Sequence, residues 1–408
     1  MSNRIITSIA VLLLASTTFA GNWPQWRGPD RTDLSNEKGL LKSWPASGPK
    51  RVWMYKDAGI GYSGFAIVDG KLYTLGARDG TEMLIALNAS KGTELWASKL
   101  GNLFTNKWGD GPRGTPTVDG DHVYAMGGQG SLICAKASDG KIVWTTSMKS
   151  LDGKRGGWGY TESVLIDGDK VLCTPGGNKG AIAALNKKTG EVIWRSTDFT
   201  DGAQYSSIIA IEHDGKRQYV QLTQKTLVGV DAENGNVLWR NAWPGKTAVI
   251  PTPIFANGHV YITSGYGVGC KLVKIDGGNA TGIYKNTTMV NHHGGVILYQ
   301  DHLYGYSDRG GWTCQNFMTG EKVWNDRGIG KGAIAYADGM FYLLGERKGD
   351  VALIEATTEG YKEKGRFTLS PQTKLRKPAG KVWTHPVILD GRLYLRDQDL
   401  IYCYDVKK

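Results

Sequence analysis

The chain has 408 residues, a formal net charge of +11, 57 Gly and 14 Trp. That length can bury a large core, and Gly and Trp this far above ordinary usage point to many tight turns, each with an aromatic anchor. The Lys and Arg are scattered rather than blocked together. The basic balance therefore argues for mild attraction of anions and against a nucleic-acid-binding tract.

In chain order, residues 1–20 are expected to be a secretory signal. Arg4 is the charged start, Ile5 to Leu14 the apolar stretch, and Thr18–Phe19–Ala20 a small-x-small cleavage site. No Cys follows that point to carry a lipid anchor. No later apolar run reaches the roughly 18 residues of a transmembrane segment, so the mature chain is expected to be secreted or periplasmic. Residues 21–49, opening "GNWPQWRGPDR", read as an extended arm without strand periodicity. Pro45 and Pro49 lead into "KRVWMY" (50–55), a Trp-bearing strand whose partners are missing locally.

A repeat then takes over. Ala184–Asn186–Gly190–Trp194 recurs with the same internal spacing as Ala86–Asn88–Gly92–Trp96, Cys134–Lys136–Gly140–Trp144, Gly229–Asp231–Gly235–Trp239 and Cys314–Asn316–Gly320–Trp324. The first three Trp-to-Trp steps are 48, 50 and 45 residues, a period typical of propeller blades. Hairpin signals keep the same beat: Asp69–Gly70, Asp119–Gly120, Asp167–Gly168, Asp214–Gly215, Asn257–Gly258, Gln300–Asp301, Asp338–Gly339 and Asp390–Gly391. Such pairs suit type I′ turns, whose two central residues both need positive φ. Outer strands end at Trp96, Trp144, Trp194, Trp239, Tyr284, Trp324 and Phe367, one fewer than the hairpins. Trp53 supplies the missing one. The expected fold is all-β: one eight-bladed propeller of four-stranded antiparallel blades over 50–408, closed by pairing of the two terminal segments. Closure is expected to remove its sheet edges. Cys134, Cys314 and Cys403 fall in the small-residue slot of different blades and read as core. Cys173 and Cys270 lie elsewhere, and a single bridge between them stays open.

The spacing small-x-Asp/Asn-x-x-Thr-Gly-x-x-x-Trp resembles the tryptophan-docking motif of pyrroloquinoline quinone (PQQ) repeat propellers. "WPQWRGPDR", "GDGPRGTPTVDG" and "NHHGG" are similar to runs in secreted PQQ-like propellers. The resemblance implies one of two branches. One is the quinoprotein dehydrogenases, with PQQ and calcium; the other is non-catalytic propellers similar to the outer-membrane protein assembly factor B. The first implies a Glu and an Asn for calcium, and Glu162 and Asn291 stand in innermost-strand positions. Its pair of adjacent Cys has no counterpart here.

In a propeller the loops entering each innermost strand share one face with the loops between second and third strands. The entries contribute Trp108, Arg113, Trp158, Tyr160, Glu162, Tyr205, His292, His293, Lys331 and His385. The other loops add Asp308, Arg309, Trp312, Arg396, Asp397 and Asp399. Aromatic rings there stack on a sugar or quinone, or pack blades together. Arg113 and Lys331 suit an anion. His292, His293 and His385, with Tyr160, Glu162 and Asp397, are the candidates for acid–base chemistry or a metal. Alternating side chains in a strand would let only one of His292 and His293 face the channel. Two functions stay open. One is a monomeric binding or scaffold protein for a protein partner or a small anionic carbohydrate. The other is an enzyme, quinoprotein or carbohydrate-active.

Overall fold

Hairpins set the architecture. The computed structural model describes residues 21–408, and the expected signal lies outside them. Eight antiparallel sheets follow one another, over residues 66–102, 117–147, 165–195, 209–242, 254–286, 296–326, 332–368 and finally 387–405 with 51–55. We number these blades 1 to 8 in that order. No helix occurs among the described residues. Blade 8 joins the two ends of the chain: Arg51–Tyr55 pairs with Leu400–Asp405, and Trp53 lies opposite Cys403.

Six of the eight turns match the type I′ expectation, with positive φ at both central residues, as at Asp69 and Gly70 or Gln300 and Asp301. Two do not. Asp119 pairs with His122, and Asp167 with Lys170, so the central residues are Gly120–Asp121 and Gly168–Asp169. Only the Gly is at positive φ there. Glycine at the first central position is what a type II′ turn requires.

The blades lock together through the motif's Gly and Trp. Gly190 sits at φ 77, and a Cβ built on it would lie 2.7 Å from the Trp144 ring of the preceding blade. Gly92, Gly140, Gly235 and Gly320 face Trp53, Trp96, Trp194 and Tyr284 in the same way. At the closing seam the arm provides the glycine, with Gly48 against Phe367. Two joints differ. Blade 5 turns at Asp276–Asn279 without the Thr-Gly step, and the Trp239 ring covers Gly229 of its own blade instead. Trp324 meets no glycine of blade 7, and its Nε1 donates to the Thr357 carbonyl. All five cysteines are buried and free, Cys173 and Cys270 included.

Ring closure does not remove every edge. The outermost strand of each blade stays unpaired on one side. Every one carries a bulge. In seven blades it lies beside the Trp or Tyr, as between Arg51 and Trp53 or Ile142 and Trp144, and in blade 7 it lies between Glu363 and Gly365, short of Phe367. The skipped residue points outward, which explains the exposed Val52, Leu95, Val143, Ile193, Ile283 and Val323.

The arm fills the hub. Trp23 pairs with Ile67 of blade 1, and the Pro24 carbonyl accepts from Val118 of blade 2. The Arg31 guanidinium donates to the carbonyls of Ser163, Val164 and Ile208 in blades 3 and 4. Trp26 Nε1 donates to Thr252 Oγ1 at blade 5, and Arg27 to the Val296 carbonyl of blade 6. Leu34–Ser35 adds a fifth, parallel strand to blade 7, and Leu40 bridges Lys407 beyond blade 8. Beyond the short pairings at Trp23 and Leu34–Ser35, the arm meets inner carbonyls of blades 3, 4 and 6 with two buried guanidiniums.

Candidate functional site

Above the arm, on the face of the entry loops, lies a cavity of about 240 Å³. Trp26 and Arg27 form its floor. The sequence candidates Trp108, Arg113, Trp158, Tyr205, His292, His293 and His385 all line it. So do Tyr62, Tyr266 and Trp383, and the hydroxyl-bearing Thr161, Ser163, Ser207 and Thr252. No carboxylate is in that lining. At the opposite end of the hub, Trp23, Pro29, Leu34 and the Leu389–Gly391 turn enclose a second, wider cavity of about 740 Å³.

Both His292 and His293 face the first cavity, their rings 5.3 Å apart. Residues 291–294 precede the strand Val296–Tyr299, so strand alternation does not separate them. Each ring is held differently. Lys331 Nζ donates to His292 Nδ1 at 2.9 Å, and Asp308 pairs with Lys331 at 2.7 Å. Burial, with His293 and Lys331 nearby, pushes His292 down to about 3. The ring is therefore neutral, and with Nδ1 accepting, its proton sits on Nε2. His293 Nε2 lies 2.7 Å from Glu346 Oε2, which also accepts from Trp383 Nε1 at 3.0 Å. Burial alone would raise Glu346, but the hydrogen bonds from His293 and Trp383 outweigh it and bring it to about 2. Burial lowers His293, against the pull of Glu346. The pair is a carboxylate and a neutral imidazole, whose Nδ1 is buried without a partner. His385 Nε2 donates to the His293 carbonyl at 3.1 Å. Its Nδ1 stands 3.4 Å from Asp33 Oδ2, an electrostatic contact rather than a hydrogen bond. Asp33 is itself paired with Arg27 at 2.6 Å.

Arg113 donates to the carbonyls of Gly111 and Gly109 at 2.7 and 2.6 Å, and stacks on Tyr62 and Phe104. No described carboxylate pairs with it within 4.0 Å. Burial lowers its pKa.

Other candidates stand elsewhere. Tyr160 is buried, its hydroxyl on the Pro175 carbonyl. Glu162 is enclosed in blade 3, accepting from the Thr174 amide and hydroxyl and from Gln221, and burial pushes it up to about 7. Trp312 packs in the core shared by blades 6 and 7. Arg396 ties blade 8 to blade 1 by donating to Gly59, Ser63, Leu75 and Gln398 carbonyls and to Thr74 Oγ1. Asp397 pairs with Arg376 at 2.6 Å, and Asp399 accepts from Thr373. Asp308 and Arg309 are exposed at the rim. Tyr62, Tyr266, Glu346 and Trp383 were legible in register, since each sits in an entry or second-to-third loop. Trp26 and Arg27 carried no such signal.

The residues do not fit PQQ with calcium. A calcium site needs several oxygen ligands, yet the cavity presents no carboxylate. Glu162 is committed inside its blade, and although Asn291 donates its amide N–H groups to the Gly295 and Tyr306 carbonyls and keeps Oδ1 without a partner, a single amide oxygen does not make a calcium site. Among the described residues no group of three His, Cys, Asp or Glu is arranged to hold a metal ion.

The fold has many solved counterparts. BamB from Moraxella catarrhalis superposes with a TM-score of 0.62 at 17% identity, over 88% of this chain and 97% of that one. Quinohemoprotein alcohol dehydrogenase from Comamonas testosteroni gives 0.64 at 12% identity, over 95% and 80%. The computationally designed Ika8 protein gives 0.61 at 11% identity, over 88% and 100%. At these identities the likeness concerns the fold alone. No curated protein matches the sequence. The model of the outer membrane protein assembly factor BamB family matches residues 80–326, more than half of the chain, and the protein belongs to that family.

Proposed function

We propose that the protein is a binding propeller that takes a small ligand in the blind cavity on its entry-loop face. The observation that carries this is the floor: Trp26 and Arg27 of the arm turn an open hub into a pocket. Its volume of about 240 Å³ lies just below the roughly 300–1,000 Å³ of sites for drug-sized ligands, which suits a ligand of one ring. Aromatic walls with a few placed polar groups are the usual make-up of such a site. The family description names an assembly factor, which supports binding as the work of this scaffold. On the reading of residues 1–20, the protein acts in the periplasm or outside the cell, as a monomer.

The test is intrinsic fluorescence of the full chain, because Trp26, Trp108, Trp158 and Trp383 all line the cavity. A ligand that fits changes the emission, and Trp158→Ala weakens binding about 3–10-fold through the loss of one stacking wall. A panel of sugars, sugar acids and aromatic acids that leaves emission and melting temperature unchanged defeats the proposal.

One observation favours an enzyme as the second reading. Glu346 orients His293 as a carboxylate orients a general base. On that reading a bound sugar derivative is consumed, and His293→Ala and Glu346→Gln each stop turnover while binding persists.

A further inference from the structure

The cations around the cavity are not held alike. Arg27 is matched by Asp33, and Lys331 by Asp308. His293 is a neutral imidazole against the Glu346 carboxylate. Arg113 alone among the cations has no carboxylate within 4.0 Å, and Glu82 and Asp110 act on it only from further away. Its guanidinium carries five N–H groups. The two hydrogen bonds to Gly109 and Gly111 carbonyls use one N–H on each terminal nitrogen, and no protein acceptor takes the rest. A partly desolvated cation is costly unless paired. Its direct contacts are two aromatic faces, Tyr62 and Phe104, and two neutral carbonyls, none of which carries a negative charge.

His292 adds a second donor of fixed polarity. Because Lys331 occupies Nδ1, the ring presents Nε2–H, and no protein group accepts from it. A ligand atom there must be an acceptor. The rest of the lining shows two textures. Rings of Tyr62 and Trp383, 5.0 Å apart, and Trp158 and Tyr205, 5.8 Å apart, form apolar walls. The lining also carries the hydroxyls of Thr161, Ser207 and Thr252: Thr161 donates to the Tyr205 carbonyl and keeps its lone pairs, while Ser207 and Thr252 accept from the Ser163 amide and Trp26 Nε1 and keep their O–H groups for a ligand. An aromatic acid would leave those hydroxyls facing carbon. A saccharide ring presents C–H faces to the walls and O–H groups to the hydroxyls.

We infer that the ligand is a sugar acid of the hexuronate type, its carboxylate taken by Arg113 and His292 Nε2–H and its ring held between the aromatic walls. This rests on the reading of the cavity as a ligand site. Lys331 is a positioning residue in this scheme: it sets which nitrogen of His292 bears the proton.

The experiment is calorimetric and fluorescence titration of the full chain with glucuronate, galacturonate, glucose and benzoate. A hexuronate binds, and glucose binds about 10–100-fold more weakly, the worth of a charge-assisted hydrogen bond. Hexuronate binding weakens with added salt, and glucose binding does not. Arg113→Gln brings hexuronate down to the level of glucose, and Arg113→Lys recovers only part, having lost the planar fork. Lys331→Met frees His292 Nδ1 from its donor, lets the ring proton shift between the two nitrogens, and weakens hexuronate binding while leaving glucose binding unchanged, a selectivity that a merely structural lysine would not produce. Glucose binding as well as both hexuronates overturns the assignment of the anion. Benzoate binding as tightly as a hexuronate overturns the assignment of the sugar. In either case the cavity remains a ligand site. If none of the four probes binds, both the inference and the proposed function fall. The comparison of probes on the wild-type chain decides the matter even if an Arg113 variant does not fold.

Discussion

At the scale of single residues, buried charge decides most of what this protein can do. His292, lowered to about 3, and Glu346, lowered to about 2, both bind protons more readily when unfolded. Stability therefore rises with pH across their windows. The His292 contribution is complete above about pH 6.5 and is lost as pH falls toward 3; that of Glu346 is lost from about 4.5 toward 2. Glu162 works in the other sense. Raised from 4.5 to about 7, it holds its proton better in the folded state, so its contribution is lost as pH rises through that range. We expect His292→Leu to flatten the rise in urea midpoint between pH 3 and 6.5, and an unchanged slope would refute the assignment. Arg31 makes a sharper case. Arg31→Met leaves the Ser163, Val164 and Ile208 carbonyls without their donor. Relief of a buried cation offsets part of that, so the expected loss is about 2–4 kcal/mol in urea denaturation, at ~1–3 kcal/mol per unsatisfied group.

At the scale of elements, the blade joint is a ring laid on a glycine. In Gly190→Ala the new Cβ would meet Trp144 at 2.7 Å with φ at 77°. Left-handed strain of about 1–2 kcal/mol adds to overpacking of about 1–3 kcal/mol. Gly80, at φ 74 with nothing near its Cβ, is the matched control. Gly80→Ala should cost the strain alone, and equal losses in melting temperature for both variants would show that docking contributes nothing. This joint was legible in the sequence because it repeats: Trp53 could be assigned to blade 8 simply by counting hairpins against outer strands. The two type II′ turns were not, because the same Asp-Gly letters serve both turn types and only strand register separates them. The placement of the histidines was misread for a related reason. Alternation was applied to 292–293 as if they were strand, whereas the strand begins at Val296. The arm stayed opaque because its contacts run from Arg side chains to main-chain carbonyls. Those acceptors are carried by every residue and leave no mark in a sequence.

At the scale of the whole molecule, arm and ring depend on each other. Removing residues 21–40 takes away the cavity floor and the donors that satisfy inner carbonyls of several blades. We expect such a chain to lose ligand-induced fluorescence change and to melt at lower temperature, and unaltered binding would show that the floor is dispensable. The pairing of Arg51–Tyr55 with Leu400–Asp405 has a consequence for how the protein comes into being. The strand that seals the circle waits on Leu400–Asp405, as the Leu41 amide waits on the Val406 carbonyl and Gly39 on the Lys408 amide. The two partners of that seam leave the ribosome far apart in time. Until the later one emerges, the blades already made form an open arc around the arm. Contacts this distant in sequence fold slowly. A holding chaperone therefore has a natural window to act, one that closes only when the seam has paired.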